Sequence, residues 1–194
     1  QDTGRIYLYA YQPAQSRFAL VWESPELTAV YDVAWGDMDN DSDLDLAVAR
    51  GWDWDGNDSL ASQVYENVDG SLTLTWQAPE PRDTMSIAWG DVEGDGDLDL
   101  ALGNHNEQNQ LYTNQDAHFS LSWESDDFYT TRAIAWLDYD NDGDLDLAAV
   151  IETDAAVLYQ RWRLVQDKEL YNLADDPEQK TNVLEKHADI AAKL

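Results

Sequence analysis

Asp37, Asp39, Asp41, Asp43 and Asp45 set five carboxylates on alternate residues of one short segment. The arrangement returns at Asp91, Glu93, Asp95, Asp97 and Asp99, and again at Asp138, Asp140, Asp142, Asp144 and Asp146. Each copy reads Asp-x-Asp/Glu-x-Asp-Gly/Ser-Asp-Leu-Asp, follows Ala-Trp, and runs into an apolar stretch. Carboxylates crowded in this way repel one another unless a cation sits among them. Hard oxygen donors on alternate residues of a tight loop suit calcium, which takes six to eight of them at about 2.3–2.6 Å. An acidic surface turn without metal explains a single copy; a threefold match favours three Ca2+ sites. The loops are not EF-hands, because their twelfth positions are Val48, Leu102 and Ala149, which offer no carboxylate.

The elements that must position these loops repeat with them. Phe18, Leu72 and Phe119 each precede a tryptophan (Trp22, Trp76, Trp123) by four residues. A second tryptophan (Trp35, Trp89, Trp136) follows 13 residues later, and the first loop aspartate two after that. Upstream lies a short strand ending in tyrosine, at Val64-Tyr65 and Leu111-Tyr112, and at Ile6-Tyr7 or Leu8-Tyr9; Leu158-Tyr159 makes a fourth. Phe119, Leu121 and Trp123 alternate with serines, the period of a half-buried strand. Four short strands per unit, at a period of 47–54 residues, predict a mainly β chain. The expected fold is three four-stranded propeller-type blades, an incomplete β-propeller, with the repeat tryptophans packing between blades. In the third unit the strands are expected at 110–114, 119–124, 132–136 and 145–151.

These units resemble FG-GAP/VCBS repeats, the calcium-binding blades of integrin-alpha-type β-propellers, over residues 5–160. The resemblance implies side-chain ligands at loop positions one, three, five and nine, with the backbone carbonyl of position seven. The first site is then Asp37, Asp39, Asp41 and Asp45 with the Asp43 carbonyl. The second is Asp91, Glu93, Asp95 and Asp99 with the Asp97 carbonyl, and the third Asp138, Asp140, Asp142 and Asp146 with the Asp144 carbonyl. Two positions depart from the pattern. Ser42 stands where the other loops have Gly96 and Gly143, at a cost of about 1 kcal/mol if that position needs positive φ. Glu93 is one methylene longer than its counterparts. The third loop fits the pattern best.

From Arg161 the character changes. Residues 161–165 and 168–173 read as a hairpin, Asp175-Asp176-Pro177 as a turn, and 183–194 as a helix capped by Thr181 or Asn182. This second segment, 161–194, is similar to the C-terminal end of type I sulfatases in Glu169-Leu170-Tyr171-Asn172-Leu173, Asp176-Pro177 and Asn182-Val183. The Cys/Ser-x-Pro-x-Arg motif that carries that family's catalytic residue has no counterpart here, so no catalytic residues and no enzyme activity are expected.

Composition bounds the partners. Forty acidic and 11 basic residues give a charge of −29. Fifteen of the acids lie in the loops, and three Ca2+ ions would bring the charge only to −23. The remaining acidic surface repels nucleic acid and anionic membranes. No apolar run is long enough to span a bilayer, so no membrane insertion is expected. The absence of cysteine excludes disulfides and thiolate zinc sites. The start at Gln1 reads either as the result of signal-peptide removal or as an internal start within a longer chain. The link after the first loop strand is the longest and carries Trp52 and Trp54 among polar residues, a candidate surface for stacking on sugar rings. The residues at 104–106 and 152–154 are expected on the same side.

The sequence thus leads to a secreted module, extracellular or periplasmic at the cell surface. It holds structural Ca2+ between the third and fourth strands of each blade and displays loops to a protein or glycan ligand. An accessory or truncated part of a sulfatase acting on sulfated polysaccharide is the competing reading. Three blades do not close a ring. The open edge calls for further blades in a longer parent, self-association, or cover by the C-terminal segment.

Overall fold

The structure, a computed structural model, describes residues 4–26, 29–52, 59–126, 128–152, 156–159, 162–165, 169–172 and 181–187, with side chains through 151 and again over 181–187. Its strands are β1 (Tyr7–Gln12), β2 (Arg17–Glu23), β3 (Val30–Gly36), β4 (Asp45–Arg50), β5 (Gln63–Val68), β6 (Ser71–Gln77), β7 (Thr84–Gly90), β8 (Asp99–Asn104), β9 (Gln110–Gln115), β10 (His118–Glu124), β11 (Thr130–Leu137), β12 (Asp146–Glu152), β13 (Ala156–Tyr159), β14 (Trp162–Val165) and β15 (Glu169–Asn172). All pairings between them are antiparallel. The sheets are β1-β2, β3-β4-β5-β6, β7-β8-β9-β10 and β11-β12-β13-β14-β15.

The expected strands are present, but their grouping differs from the sequence unit by half a repeat. Each of the three larger sheets begins at the Ala-Trp strand, not at the tyrosine strand. The links after Glu23, Gln77 and Glu124 therefore pass between sheets, and those after Arg50 and Asn104 are connections within one. The acidic loops join the first and second strands of each sheet, not the third and fourth. Periodicity fixes the order of elements in a repeat, but not where one sheet stops and the next starts.

Register identifies equivalent residues. Leu8 pairs with Trp22, Val64 with Trp76 and Leu111 with Trp123, and each hairpin carries a bulge at this point. The repeat tyrosine of the first hairpin is thus Tyr9. Leu158-Tyr159 belongs to β13, which is the third strand of the last sheet rather than the start of a further unit. The hairpin expected beyond residue 160 forms as β14 and β15 and extends that sheet to five strands. Where a helix is expected from Val183, there is a single 3-10 turn at Leu184–Lys186. Asn182 Oδ1 accepts the Leu184 N–H at 3.0 Å, a local Asx-type turn. The rest of that expected helix, 188–194, lies outside the described residues.

The sheets pack face to face, and β4 and β8 are buried along their whole length. Leu46 and Val48 meet Ile6, Leu8 and Trp22 of the first hairpin, and Tyr65 lies on the same face. Ala47 and Ala49 face Ile87, Leu100, Leu102 and Tyr112 of the next sheet. Alternate residues of one strand thus feed two interfaces, which is why Leu-Asp-Leu-Ala reads as almost continuously apolar after its aspartate. Full burial of a leucine side chain contributes about 1.5–3 kcal/mol. Four of the six repeat tryptophans (Trp22, Trp76, Trp89 and Trp136) bridge sheets as expected, whereas Trp35 and Trp123 are exposed. Trp22 meets Tyr65 edge-on at 5.5 Å between ring centroids, and Trp76 meets Tyr112 likewise at 5.1 Å.

A second contact recurs at the Ala-Trp-Gly strands. The Trp89 indole donates Nε1–H to the Ala34 carbonyl at 3.2 Å, and Trp136 to Ala88 at 3.5 Å. Each ring lies on a glycine, so that a Cβ built on Gly36 would come within 2.7 Å of Trp89, and one on Gly90 within 2.6 Å of Trp136. Gly90→Val should therefore lower the unfolding free energy by about 1–3 kcal/mol, the usual range for overpacking. Urea unfolding followed by circular dichroism measures it. Leu137→Gly, at the equivalent but exposed position of the last sheet, should cost less than 1 kcal/mol.

Candidate metal centre

Each acidic loop is a tight turn whose own carboxylates organise its backbone. Position one accepts twice. In the first loop Asp37 Oδ1 takes the Asp41 N–H at 3.0 Å and Oδ2 the Ser42 N–H at 3.0 Å. Asp91 does the same for Asp95 and Gly96 at 3.1 and 3.0 Å, and Asp138 Oδ2 takes the Gly143 N–H at 3.2 Å. Position five caps the amide two residues on, at 2.8 Å for Asp41, 3.0 Å for Asp95 and 3.0 Å for Asp142. These are Asx-type contacts, which draw the oxygens toward the inside of the turn.

Backbone strain matches the composition. Position six has positive φ in all three loops, 76° at Ser42, 96° at Gly96 and 100° at Gly143. Ser42 therefore carries the expected penalty. Position four also has positive φ, at Asn40 (61°), Gly94 (68°) and Asn141 (61°), a requirement that asparagine tolerates well and that the sequence reading missed. The signal was present as the Asn/Gly alternation at that position. Asn40 has a further role, because its Nδ2 donates to the Gly96 carbonyl at 3.2 Å and to Asp97 Oδ1 at 3.0 Å, tying the first loop to the second.

Positions seven and nine also hold backbone amides of the sheet. Asp43 Oδ2 accepts the Asp69 N–H and Asp97 Oδ2 the Asp116 N–H, both at 3.0 Å, so these side chains hold the turn of the neighbouring hairpin. Asp45 and Asp99 are fully buried. Asp45 takes the Met38 N–H at 2.9 Å on one oxygen and the Asn67 N–H at 2.8 Å on the other. Asp99 takes Val92 and Asn114 in the same way, both at 2.8 Å. Asp146 repeats half of this through the Tyr139 N–H at 2.8 Å, but it is exposed. Burial raises the Asp45 and Asp99 carboxyls above the ordinary carboxylate range. The two donated amides oppose the shift, and the charges of Asp39 and Asp41, or Asp95 and Asp91, add to it. Asp140 is raised too, by loss of hydration and then by Asp142.

Two loops gather three carboxylate oxygens within 4.8 Å of one another, from Asp37, Asp39 and Asp41 and from Asp138, Asp140 and Asp146. Ligands on opposite sides of one calcium ion lie about 4.6–5.2 Å apart, so each group fits a single coordination sphere. The second loop forms no such group among the described residues, and it is the loop with Glu93 at position three. The site residues read from the sequence therefore fall into two sets. Positions one, three and five converge in the first loop, and one, three and nine in the third. In the first two loops position seven faces the adjoining hairpin through its side chain.

Trp52 is half exposed, and its ring centroid lies 6.4 Å from that of His105. His105 Nδ1 meets Asp83 Oδ2 at 2.7 Å, and Asp83 Oδ1 accepts the Trp52 N–H at 3.1 Å. Trp52 thus stands beside the 104–106 segment, as expected. Asn104 itself is buried, with its Oδ1 accepting from Thr84 Oγ1 at 2.8 Å, and offers nothing to a ligand. Trp54 and residues 153–154 lie outside the described residues, and the side chain of Glu152 is likewise undescribed.

The family model for FG-GAP-like repeats matches residues 91–149, from the first aspartate of the second loop through the third loop and most of β12. No curated protein matches the chain. The match ends before residue 161, and no comparison supports the sulfatase-like reading of the C-terminal segment.

The raised carboxyls give a signed pH dependence. A carboxyl whose folded pKa exceeds its unfolded value stabilises the fold when protonated, and that contribution is lost as pH rises through the folded pKa. In chelator, the unfolding midpoint should therefore rise as pH is lowered from 7 toward the ordinary carboxylate range near about 4. Thermal melts at stepped pH measure it. A midpoint that falls steadily over that range would contradict the burial of Asp45 and Asp99 as protonatable groups.

Proposed function

We propose that this chain is a calcium-binding FG-GAP-like repeat module, with one Ca2+ in each acidic loop and no catalytic chemistry of its own. The observation that carries this reading is the convergence of carboxylate oxygens within 4.8 Å in two of the three loops, inside a repeat whose third copy lies within the family match. Positions one, three, five and nine supply side-chain oxygens and position seven its carbonyl. The side chains of Asp43 and Asp97 are engaged with Asp69 and Asp116, which favours a backbone role there. The metal is structural. It neutralises crowded carboxylates at the turn between the first two strands of each sheet, and the successive sheets act as propeller-type blades.

On this reading the module works outside the cytoplasm, where free calcium is high enough to fill sites of moderate affinity. Its rigid sheets present the connecting loops to a protein or glycan. Trp52, exposed beside His105 and the buried Asp83, is the described part of that surface, with Trp54 as its proposed partner.

Calcium should raise the melting temperature over that in chelator. A site whose Kd lies about 100-fold below the free calcium contributes about 2.7 kcal/mol. Asp142→Ala and Asp146→Ala should weaken the third site far more than Asp144→Ala, as read by calorimetric titration. Equal losses for all three would overturn the assignment of positions, and a melting temperature indifferent to calcium would overturn the structural role.

A further inference from the structure

The first and second acidic loops are joined by two asparagine side chains. Asn40, at position four of the first loop, donates from Nδ2 to the Gly96 carbonyl at 3.2 Å and to Asp97 Oδ1 at 3.0 Å. Gly96 and Asp97 are positions six and seven of the second loop, the turn that would offer the Asp97 carbonyl to a cation. Asp97 Oδ2 accepts the Asp116 N–H at 3.0 Å, so this turn is clamped from two sides. The second link is buried. Asn114 Nδ2 donates to the Met38 carbonyl at 2.8 Å and to the Leu98 carbonyl at 3.1 Å. These are position two of the first loop and position eight of the second. The Asn114 N–H goes to Asp99 Oδ1, position nine, at 2.8 Å.

Position four does not need an asparagine to make its turn. The second loop has Gly94 there, with φ of 68° against 61° at Asn40. What Asn40 adds is the amide that reaches the neighbouring loop. It also stands between Asp39 and Asp41, two of the three carboxylates that converge within 4.8 Å in the first loop.

We propose that calcium binding at the first loop strengthens calcium binding at the second, with Asn40 as the coupling residue. The proposal rests on the calcium reading above and concerns how two of its sites act on each other. A cation held by Asp39 and Asp41 fixes the backbone of the residue between them. That in turn fixes the amide that holds Gly96 and Asp97. The second loop's turn is then ordered before its own ion arrives, and the second ion meets a smaller ordering cost. The second loop has most to gain, because no three of its carboxylates converge among the described residues and Glu93 stands at its position three. Linkage makes the effect reciprocal: the second ion strengthens the first by the same factor.

The test is a thermodynamic cycle on the full chain. Asp140→Asn removes the third site from every variant compared. In that background Glu93→Ala leaves the first site alone, and Asp39→Asn leaves the second alone. Calorimetric titration with calcium gives the two single-site constants and the overall two-ion constant, and native mass spectrometry counts the ions. The cycle is then repeated with Asn40→Gly, which copies the residue of the second loop at a positive φ and so keeps the turn.

The overall constant should exceed the product of the single-site constants by about fivefold or more, the lower end of coupling between linked sites. With Asn40→Gly the ratio should fall to about one. A ratio of one in the chain that keeps Asn40 would overturn the proposal, and so would a ratio that Asn40→Gly leaves unchanged. Either result, with both ions counted, leaves the calcium reading standing. A chain that takes up no calcium would overturn both.

Discussion

Mutual repulsion of carboxylates is the constraint on which this structure turns. Five acids alternate along each of three loops, and the loop backbone is folded inward by their own hydrogen bonds. Drawing the oxygens together gives each N–H an acceptor but brings like charges within one coordination sphere. At about 4 Å two such charges repel by about 1 kcal/mol in water and several times that where solvent is excluded. Either protons or a cation must offset this. Burial of Asp45 and Asp99 pushes toward the proton, and the exposed loop positions leave access for the cation.

The same carboxylates connect the loops to the sheets. Asp45 and Asp99 each receive one amide from the loop and one from the third strand of the sheet, and Asp43 and Asp97 hold the hairpin turns. A change in loop charge is therefore felt across a sheet rather than at one turn. Between sheets, an indole on a glycine and a tryptophan edge on a tyrosine combine with hydrogen bonds from the Trp89 indole to the Ala34 carbonyl and from Ser86 Oγ–H and the Ile87 N–H to Asp32 Oδ2. Asn40, reaching from the first loop to the second, and Asn114, whose Nδ2 donates to the Met38 carbonyl at 2.8 Å, join the two systems.

Much of this was legible in the sequence because the residues that repeat are the ones with a fixed geometric task. The Trp22, Trp35 and Asp37 spacing located the strands and loops, and Ser42 was recognisable as a residue forced to positive φ. The sheet boundaries were not legible, because a repeat can be cut at any point without changing its period. Only the pairing of β4 with β5 and of β8 with β9 decides it. The identity of the first repeat tyrosine depended on a bulge that no side-chain pattern reveals, between Leu8 and Tyr9. The engagement of Asp43 and Asp97 with a distant hairpin was equally invisible, because it joins residues 26 and 19 apart. At Val183 the apolar stripe suggested a helix, but among the described residues the segment forms only a 3-10 turn at Leu184–Lys186.

The central claim is that each acidic loop holds one calcium ion. Native mass spectrometry of the full chain, titrated with calcium at neutral pH after exhaustive chelation, counts the ions directly. The account predicts successive uptake of three, with magnesium failing to displace them because its small octahedral shell suits these wide oxygen clusters poorly. A chain that takes up no calcium, or a diffuse series of weak adducts without a plateau at three, would contradict it.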